Sequence, residues 1–342
     1  MTAWVHPGPA NSEVEKISRC NVMIPEPQPN EIRVKLAAAS VNPVDWKHVY
    51  FEASTFPSIF GIDGAGVVDA VGEEVKDFAK GDKVHFLVNL FKEFGTFAEY
   101  CVVEAAFAVK IPAGVSFADA AATPCAAWTA YEVLYDRLKI EEGKTIFIAA
   151  GAGGVGHFAV QMAGGITKCK VITSASGENV DRLKSEGNCA LVIDYKKQNV
   201  REEVMKFTGD QGVDYVFDML GEDEAMESLK MLGYGGQICH ISISMPSLPD
   251  GGNFSNGIST HHVLLLKNLV SGPKHLNKFL GFANQCDEWL AQGRIKTDVS
   301  KIYTVEEIAE ALKAQQGGRV RGKALIAYTK DPESIRDPSA TV

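Results

Sequence analysis

Several catalytic signatures are missing from the 342-residue chain: it has no HExxH, GxSxG or P-loop motif. Metalloprotease, α/β-hydrolase and phosphate-hydrolysing chemistry therefore lack their usual carriers. It has no CxxC pair either. Its seven cysteines, at 20, 101, 125, 169, 189, 239 and 286, are scattered and odd in number. They read as reduced thiols of a cytoplasmic protein rather than as a disulfide framework or a clustered zinc site. A positive surplus is absent as well, since 34 Lys and Arg stand against 43 Asp and Glu, a net charge of −9. Such a field repels phosphate backbones and anionic lipid heads, which argues against a nucleic-acid or membrane partner.

The opening MTAWVHPGPANSEVEK shows no basic region followed by an apolar core, so no secretory signal is expected. The longest uncharged run, Thr145 to Thr167, is long enough to cross a bilayer but is interrupted by Gly151, Gly153, Gly154 and Gly156. A strand, a turn and a buried helix fit it better. With 46% hydrophobic and 23% charged residues the composition is that of a globular protein of about two domains.

Up to about residue 120, short apolar or alternating runs (EIRVKLAAASVN, GIDGAGVVDAVG, GDKVHFLV, GTFAEYCVV) are separated by Gly, Pro and Asp, the pattern of an irregular β unit. Ser116 to Leu138 is Ala-rich with helical spacing, and Ser116 followed by Asp119 offers an N-terminal cap. After Gly143 the pattern becomes strands alternating with helices. TIFIAA, KVITS, LVIDY, VDYVFDML and GGQICHISI are the expected strands, with a sixth near HHVLLLKNLVSG. That alternation predicts a doubly wound parallel sheet of the Rossmann kind. Two amphipathic helices (KFLGFANQCDEWLAQG, TVEEIAEALKAQQ) and a closing strand (GKALIAY) exceed what such a sheet needs and are expected to return to the first domain. The domains are drawn at 1–120 with 275–342, and at 121–274.

IFIAAGAGGVGHFAV puts Gly151, Gly153 and Gly156 in G-x-G-x-x-G spacing, directly after a strand and opening a helix. Gly151 permits the tight turn, Gly153 the approach of a pyrophosphate, and Gly156 close helix–strand packing, while the helix N-terminus offers unpaired N–H groups. The second strand ends Thr173-Ser174-Ala175-Ser176, without the carboxylate that usually takes the NAD ribose. Ser174 and Ser176 can hydrogen-bond a 2′-phosphate, and Arg182 or Lys184 can supply a cation, so NADPH is favoured. NADH remains open, with Glu178 as the acid.

Six segments in order, VNPVDWK (Val41 to Lys47), GIDGAGVV (Gly61 to Val68), GDKV (Gly81 to Val84), GTFAEY (Gly95 to Tyr100), AATPCAAWTAY (Ala121 to Tyr131) and AGAGGVG (Ala150 to Gly156), resemble the medium-chain dehydrogenase/reductase superfamily. The resemblance is to its zinc-independent quinone oxidoreductase branch. It implies an α/β protein: a GroES-like, β-rich catalytic domain built from both ends of the chain, a Rossmann nucleotide-binding domain inserted in it, and an active-site cleft where they meet. The positions that hold catalytic zinc in metal-dependent relatives are matched here by Asn42, Ile62 and Cys125, and His85 to Gly95 lacks the cysteines of the structural zinc loop. One thiol does not make a site that needs about three protein ligands, so no metal is expected. Cys125 then reads as a small packing residue or as a redox-sensitive thiol.

The expected activity is hydride transfer from NADPH to a quinone or an α,β-unsaturated carbonyl (enone, 2-alkenal or enoyl thioester), with Asn42 and Tyr50 as candidate catalytic residues. By the same resemblance the cofactor contacts are Asn42, Thr129, Gly151, Gly153, Gly154, Val155, Gly156, Ser174, Ser176, Arg182, Tyr195, Gly221, Ile241 and Ser242. Val180 stands where quinone reductases often carry a phosphate-gripping Lys, and Tyr195 matches a Tyr that approaches the 2′-phosphate. The loop Met245 to Gly257 either covers the cofactor or pairs with a second subunit, and a homodimer is expected. Arg319, Arg321 and Lys323 read as a solvated basic turn, and the adjacent His261 and His262 as a loop or strand edge. Two other classes stay in play: a non-catalytic NADPH-binding protein and a zinc alcohol dehydrogenase.

Overall fold

The computed structural model describes residues 1–6, 16–47, 58–88, 95–241, 252–318 and 320–342. The chain forms two compact units, one of Met1–Trp128 with Leu266–Val342 and one of Thr129–Leu265. They divide at 128/129 and 265/266, where the sequence reading drew 120/121 and 274/275.

The first unit carries strands β1 (Thr2–His6), β2 (Ser18–Asn21), β3 (Glu31–Val41), β4 (Ser58–Ile59), β5 (Asp63–Val71), β6 (Lys83–Leu87), β7 (Tyr100–Glu104) and β8 (Ala108–Lys110). The second carries β9 (Thr145–Ile148), β10 (Lys170–Ala175), β11 (Leu191–Asp194), β12 (Val213–Asp218), β13 (Leu232–His240) and β14 (Ser259–His262). The chain then re-enters the first unit with helix Pro273–Ala291, β15 (Val299–Thr304), helix Ile308–Gln316 and β16 (Lys323–Ala327).

In the first unit a small sheet is ordered β2-β1-β4, and a seven-stranded sheet runs β15-β16-β3-β5-β6-β8 with β7 also on β3. β16 lies antiparallel to β3 with Ala324 opposite Val41, so Lys323 enters the sheet beside the end of β3. Ser116 caps helix Phe117–Ala122 by accepting from the Asp119 N–H, as its spacing predicts. His85 of β6 reaches two neighbours at once. Its Nδ1 is 3.0 Å from the Ala120 carbonyl, and its Nε2 is 2.9 Å from Asp287 on helix Pro273–Ala291. Two acceptors suit a doubly protonated ring. Burial works against that charge, but Asp287 and the Ala120 carbonyl outweigh it and hold the His85 pKa above its ordinary value.

The second unit is a parallel sheet ordered β11-β10-β9-β12-β13-β14, that is third, second, first, fourth, fifth, sixth. This is the doubly wound order, with its switch point beside the first strand. Alternation of side chains along a strand explains the two covered faces. Ile172 and Ile193 pack with Val204 and Leu229 of helices Val200–Thr208 and Glu222–Leu229, whereas Ala175 and Val192 pack with Val180 and Leu183 of helix Glu178–Ser185.

Two elements differ from the sequence reading. The sixth strand is confined to Ser259–His262, and the apolar run after it turns into a short helix, Lys267–Val270. An unbroken apolar run has no period to separate strand from helix. Strand Val299–Thr304 was not expected; its VSKIYT pairs in parallel with β16. Among the described residues no helix is long and apolar enough to cross a membrane.

Candidate active site

The glycine loop lies in the second unit. β9 ends at Ile148, Ala150 takes a left-handed φ of 52°, and Gly153 is extended before a helix that starts at Gly154 and continues through wider turns to Ile166. The three glycines are required for different reasons. A Cβ on Gly151 would sit 2.2 Å from Thr173 Oγ1, and one on Gly156 would sit 2.2 Å from the Ala150 carbonyl oxygen. Those two positions are closed by the protein itself. At Gly153 a Cβ would meet only the Ala150 oxygen, at 3.2 Å, so that side of the loop is open. Gly153 brings no side-chain cap, and the N–H groups of Gly154, Val155 and Gly156 have no protein acceptor among the described residues. Unpaired donors with the positive end of the helix dipole form a fitting cradle for a dinucleotide pyrophosphate.

The other second-unit candidates occupy the carboxyl ends of neighbouring strands. Ser174 is buried, and its hydroxyl accepts from the Ala150 N–H at 3.3 Å, so it shapes the loop. Ser176 donates to the Tyr195 hydroxyl at 3.3 Å, and Tyr195 is 53% exposed. Arg182 turns to Glu186 one helical turn on, at 2.5 Å. Gly221 precedes helix Glu222–Leu229, and the Ile241 N–H donates to the Asp218 carbonyl. Thr129 is buried at the start of this unit. Tyr50 and Ser242 lie outside the described residues, as do Arg319 and most of the loop from Met245.

The sequence reading missed a buried pair at the ends of β12 and β13. Asp218 Oδ1 accepts from His240 Nδ1 at 2.8 Å and also from the Leu220 N–H, and Oδ2 accepts from Ser228. Neither residue belongs to a recognisable motif. Only the parallel register that sets Asp218 beside His240 reveals them.

Asn42 belongs to a buried polar cluster of the first unit. Its amide Nδ2 donates to Asp63 Oδ2 at 2.8 Å, its Oδ1 accepts from Lys323 Nζ at 2.5 Å, and its backbone N–H donates to Asp45 Oδ2 at 2.6 Å. Lys323 Nζ also lies 3.6 Å from Asp63, whose other oxygen accepts the Cys125 N–H. Lys323 is 2% exposed, so the solvated turn expected from the basic run is corrected: β16 draws this lysine inside while Arg321 stays at the surface on Asp298. Burial, then the nearby Asp63 charge, push Asp45 up to about 8 against the opposing Asn42 N–H, and Asp45 Oδ1 has no partner among the described residues. Burial likewise raises Asp63, with Lys323 and Asn42 pulling it back.

The same cluster bears on the positions matched to zinc ligands. The Asn42 amide is fully engaged, Ile62 is apolar and buried, and burial together with Asp63 pushes the Cys125 thiol far up. That leaves Cys125 as one thiol where a catalytic zinc takes about three protein ligands. No group of three or more His, Cys, Asp or Glu is arranged to hold a metal among the described residues.

Comparisons with known proteins agree with this architecture. The family described as "Alcohol dehydrogenase GroES-like domain" matches residues 28–113, and that described as "Zinc-binding dehydrogenase" matches 189–326. A 2-methylene-furan-3-one reductase of Solanum lycopersicum is 31% identical over 338 residues, covering 95% of this chain and 79% of the relative. An NADPH-dependent alkenal/one oxidoreductase, chloroplastic, of Arabidopsis thaliana is 35% identical over 270 residues, 75% of this chain and 67% of the relative. Among solved structures, a quinone oxidoreductase of Pseudomonas syringae pv. Tomato DC3000 superposes with a TM-score of 0.86 at 25% identity, over 96% of this chain and 100% of that one.

Proposed function

The chain belongs to the medium-chain dehydrogenase/reductase superfamily, among its quinone and alkenal/one oxidoreductases, and from that premise we propose that it is an NADPH-dependent reductase of quinones or α,β-unsaturated carbonyls. The observation that carries the reading is the open face at Gly153, backed by three N–H groups that have no protein acceptor among the described residues. When bound, NADPH supplies the hydride that a conjugated acceptor takes at carbon.

The chain's own residues hold and orient. The N–H groups of Gly154, Val155 and Gly156 take the pyrophosphate, while Gly151 lets the loop lie close on β10 and Gly156 lets the helix start lie close on Ala150. Ser176 and Tyr195 present adjacent hydroxyls at the ends of β10 and β11 for the phosphorylated ribose, and Gly221 and Ile241 offer backbone at the ends of β12 and β13. Asn42 keeps its loop in one conformation through Lys323, Asp63 and Asp45. Tyr50 is the candidate proton donor to the acceptor oxygen, in competition with water.

The reaction proceeds without a catalytic metal. The reading is supported by an engaged amide at 42 and an apolar side chain at 62, which leave Cys125 as one thiol where about three protein ligands are needed. A quinone or enone takes hydride at carbon with only a hydrogen-bond donor on its oxygen, which removes the need for a Lewis acid. The protein acts as a cytoplasmic homodimer, a reading that rests on the scattered thiols and the family resemblance.

NADPH oxidation is to be followed with quinones, 2-alkenals and enoyl thioesters, with metal content measured on the same preparation. Turnover at substoichiometric metal is expected. Absence of turnover with every acceptor, or activity that tracks bound zinc, defeats the proposal.

A further inference from the structure

We infer that Lys196 supplies the cation that grips the 2′-phosphate of the dinucleotide and so sets the preference for NADPH over NADH; the inference rests on the cofactor reading above. It starts from a shortage. A phosphomonoester beside the ends of β10 and β11 carries nearly two negative charges. The hydroxyls of Ser176 and Tyr195 bring no charge of their own.

The cations near those strand ends are mostly committed. Arg182 is bound to Glu186 at 2.5 Å, Lys197 to Asp194 at 3.2 Å, and Arg201 of the next helix faces Glu227 at 3.8 Å. Position 180, on helix Glu178–Ser185, holds a valine packed on Ala152, Ala175, Leu183 and Val192, so no charge stands there. Lys184 sits in the last turn of that helix, whereas the strand ends adjoin its first turn.

Lys196 is different. The Tyr195 N–H donates to the Ala175 carbonyl, which carries the β10–β11 pairing one residue past β11, and Lys196 comes next. Its backbone is fixed by an N–H bond to Asp194 Oδ1 at 3.2 Å. Its side chain is exposed and has no partner among the described residues. It is thus a free ammonium on an anchored backbone, adjacent in the chain to the Tyr195 hydroxyl that touches Ser176.

The surrounding charge makes that cation necessary. Glu178 and Asp181 lie in the first turn of helix Glu178–Ser185, directly after Gly177 with φ +58°, and they oppose an anion at this end. Among the described residues at these strand ends, Lys196 is the uncommitted cation placed to offset them. In its absence, a ribose 2′-hydroxyl facing Glu178 would be the better ligand, as in NAD-selecting folds.

The test measures dissociation constants for NADPH and NADH by fluorescence titration, at low and moderate salt, for the unaltered protein and for Lys196→Met, Lys196→Arg and Arg182→Ala. Lys196→Met is expected to weaken NADPH about ten-fold or more, the scale of a charge-assisted contact, while leaving NADH unchanged. It should also flatten the salt dependence of NADPH binding. Lys196→Arg should restore most of the preference, and Arg182→Ala should keep it. If the unaltered protein prefers NADPH and Lys196→Met keeps the same ratio, the assignment of Lys196 falls and the cofactor reading stands. If the unaltered protein binds NADH as tightly or more tightly, both fall.

Discussion

Lys323 and Asn42 are 281 positions apart in the chain, yet the ammonium of one donates to the amide oxygen of the other at 2.5 Å inside the first unit. The contact joins the start of β16 to the residue that follows β3, and Asp63 at the start of β5 completes a triangle. One ammonium therefore fixes three segments.

Lys323→Met leaves Asp63 buried without a counter-charge, and a loss of about 3–5 kcal/mol is expected. The double variant Lys323→Met with Asp63→Asn removes both charges and should recover much of it. Urea unfolding of the three proteins at neutral pH checks this; equal stability of the single and double variants would show that the pair is not energetically coupled.

Asp45, with its pKa raised to about 8, holds its proton in the folded chain and loses it at ordinary acidity in the unfolded one. A group raised on folding contributes fully below its unfolded pKa and loses that contribution as pH climbs to the folded pKa. Stability should therefore fall between about pH 4 and pH 8, by up to about 1.4 kcal/mol per unit from this group. Asp45→Asn should flatten that slope in unfolding experiments run across the range.

His85 adds a second slope of the same sign. Its pKa is also raised on folding, so its pairing with Asp287 contributes most below the unfolded histidine value and fades as pH passes the folded one. His85→Gln should lower the melting temperature at pH 6 more than at pH 9. An equal drop at both would mean that packing against Trp128, rather than charge, is what the ring provides.

The glycine loop separates folding from binding. Gly156→Ala forces a methyl group onto the Ala150 carbonyl and is expected to cost about 1–3 kcal/mol of stability as well as dinucleotide affinity. Gly153→Ala meets only a marginal contact within the protein, so its melting temperature should be near normal while NADPH titration shows a large loss. A Gly153→Ala protein that binds normally would mean that no ligand approaches this side.

Much of this was legible in the sequence because it is local. Strand, turn and helix around Gly151 are written within fifteen residues, and the Ser116 cap within four. The polar cluster was not legible in the same way. Asn42 drew notice through its motif, but Lys323 looked like one charge in a basic turn, because only the pairing of β16 with β3 takes it inside. Arg182 is a related case: a cation one turn before a glutamate on the same helix meets that glutamate, and the i, i+4 spacing of Arg182 and Glu186 is plain in the sequence. The sixth strand was read too late in the chain because four apolar residues after His262 imitate a buried strand.

The return of β16 to β3 also has a consequence during synthesis. The second unit is one continuous stretch, Thr129–Leu265, and can fold as it leaves the ribosome. The first unit must wait, with Asp63 and Asn42 lacking their ammonium until codon 323 has been read. A nascent chain stalled before that point should show a protease-resistant second unit beside a cleavable first one.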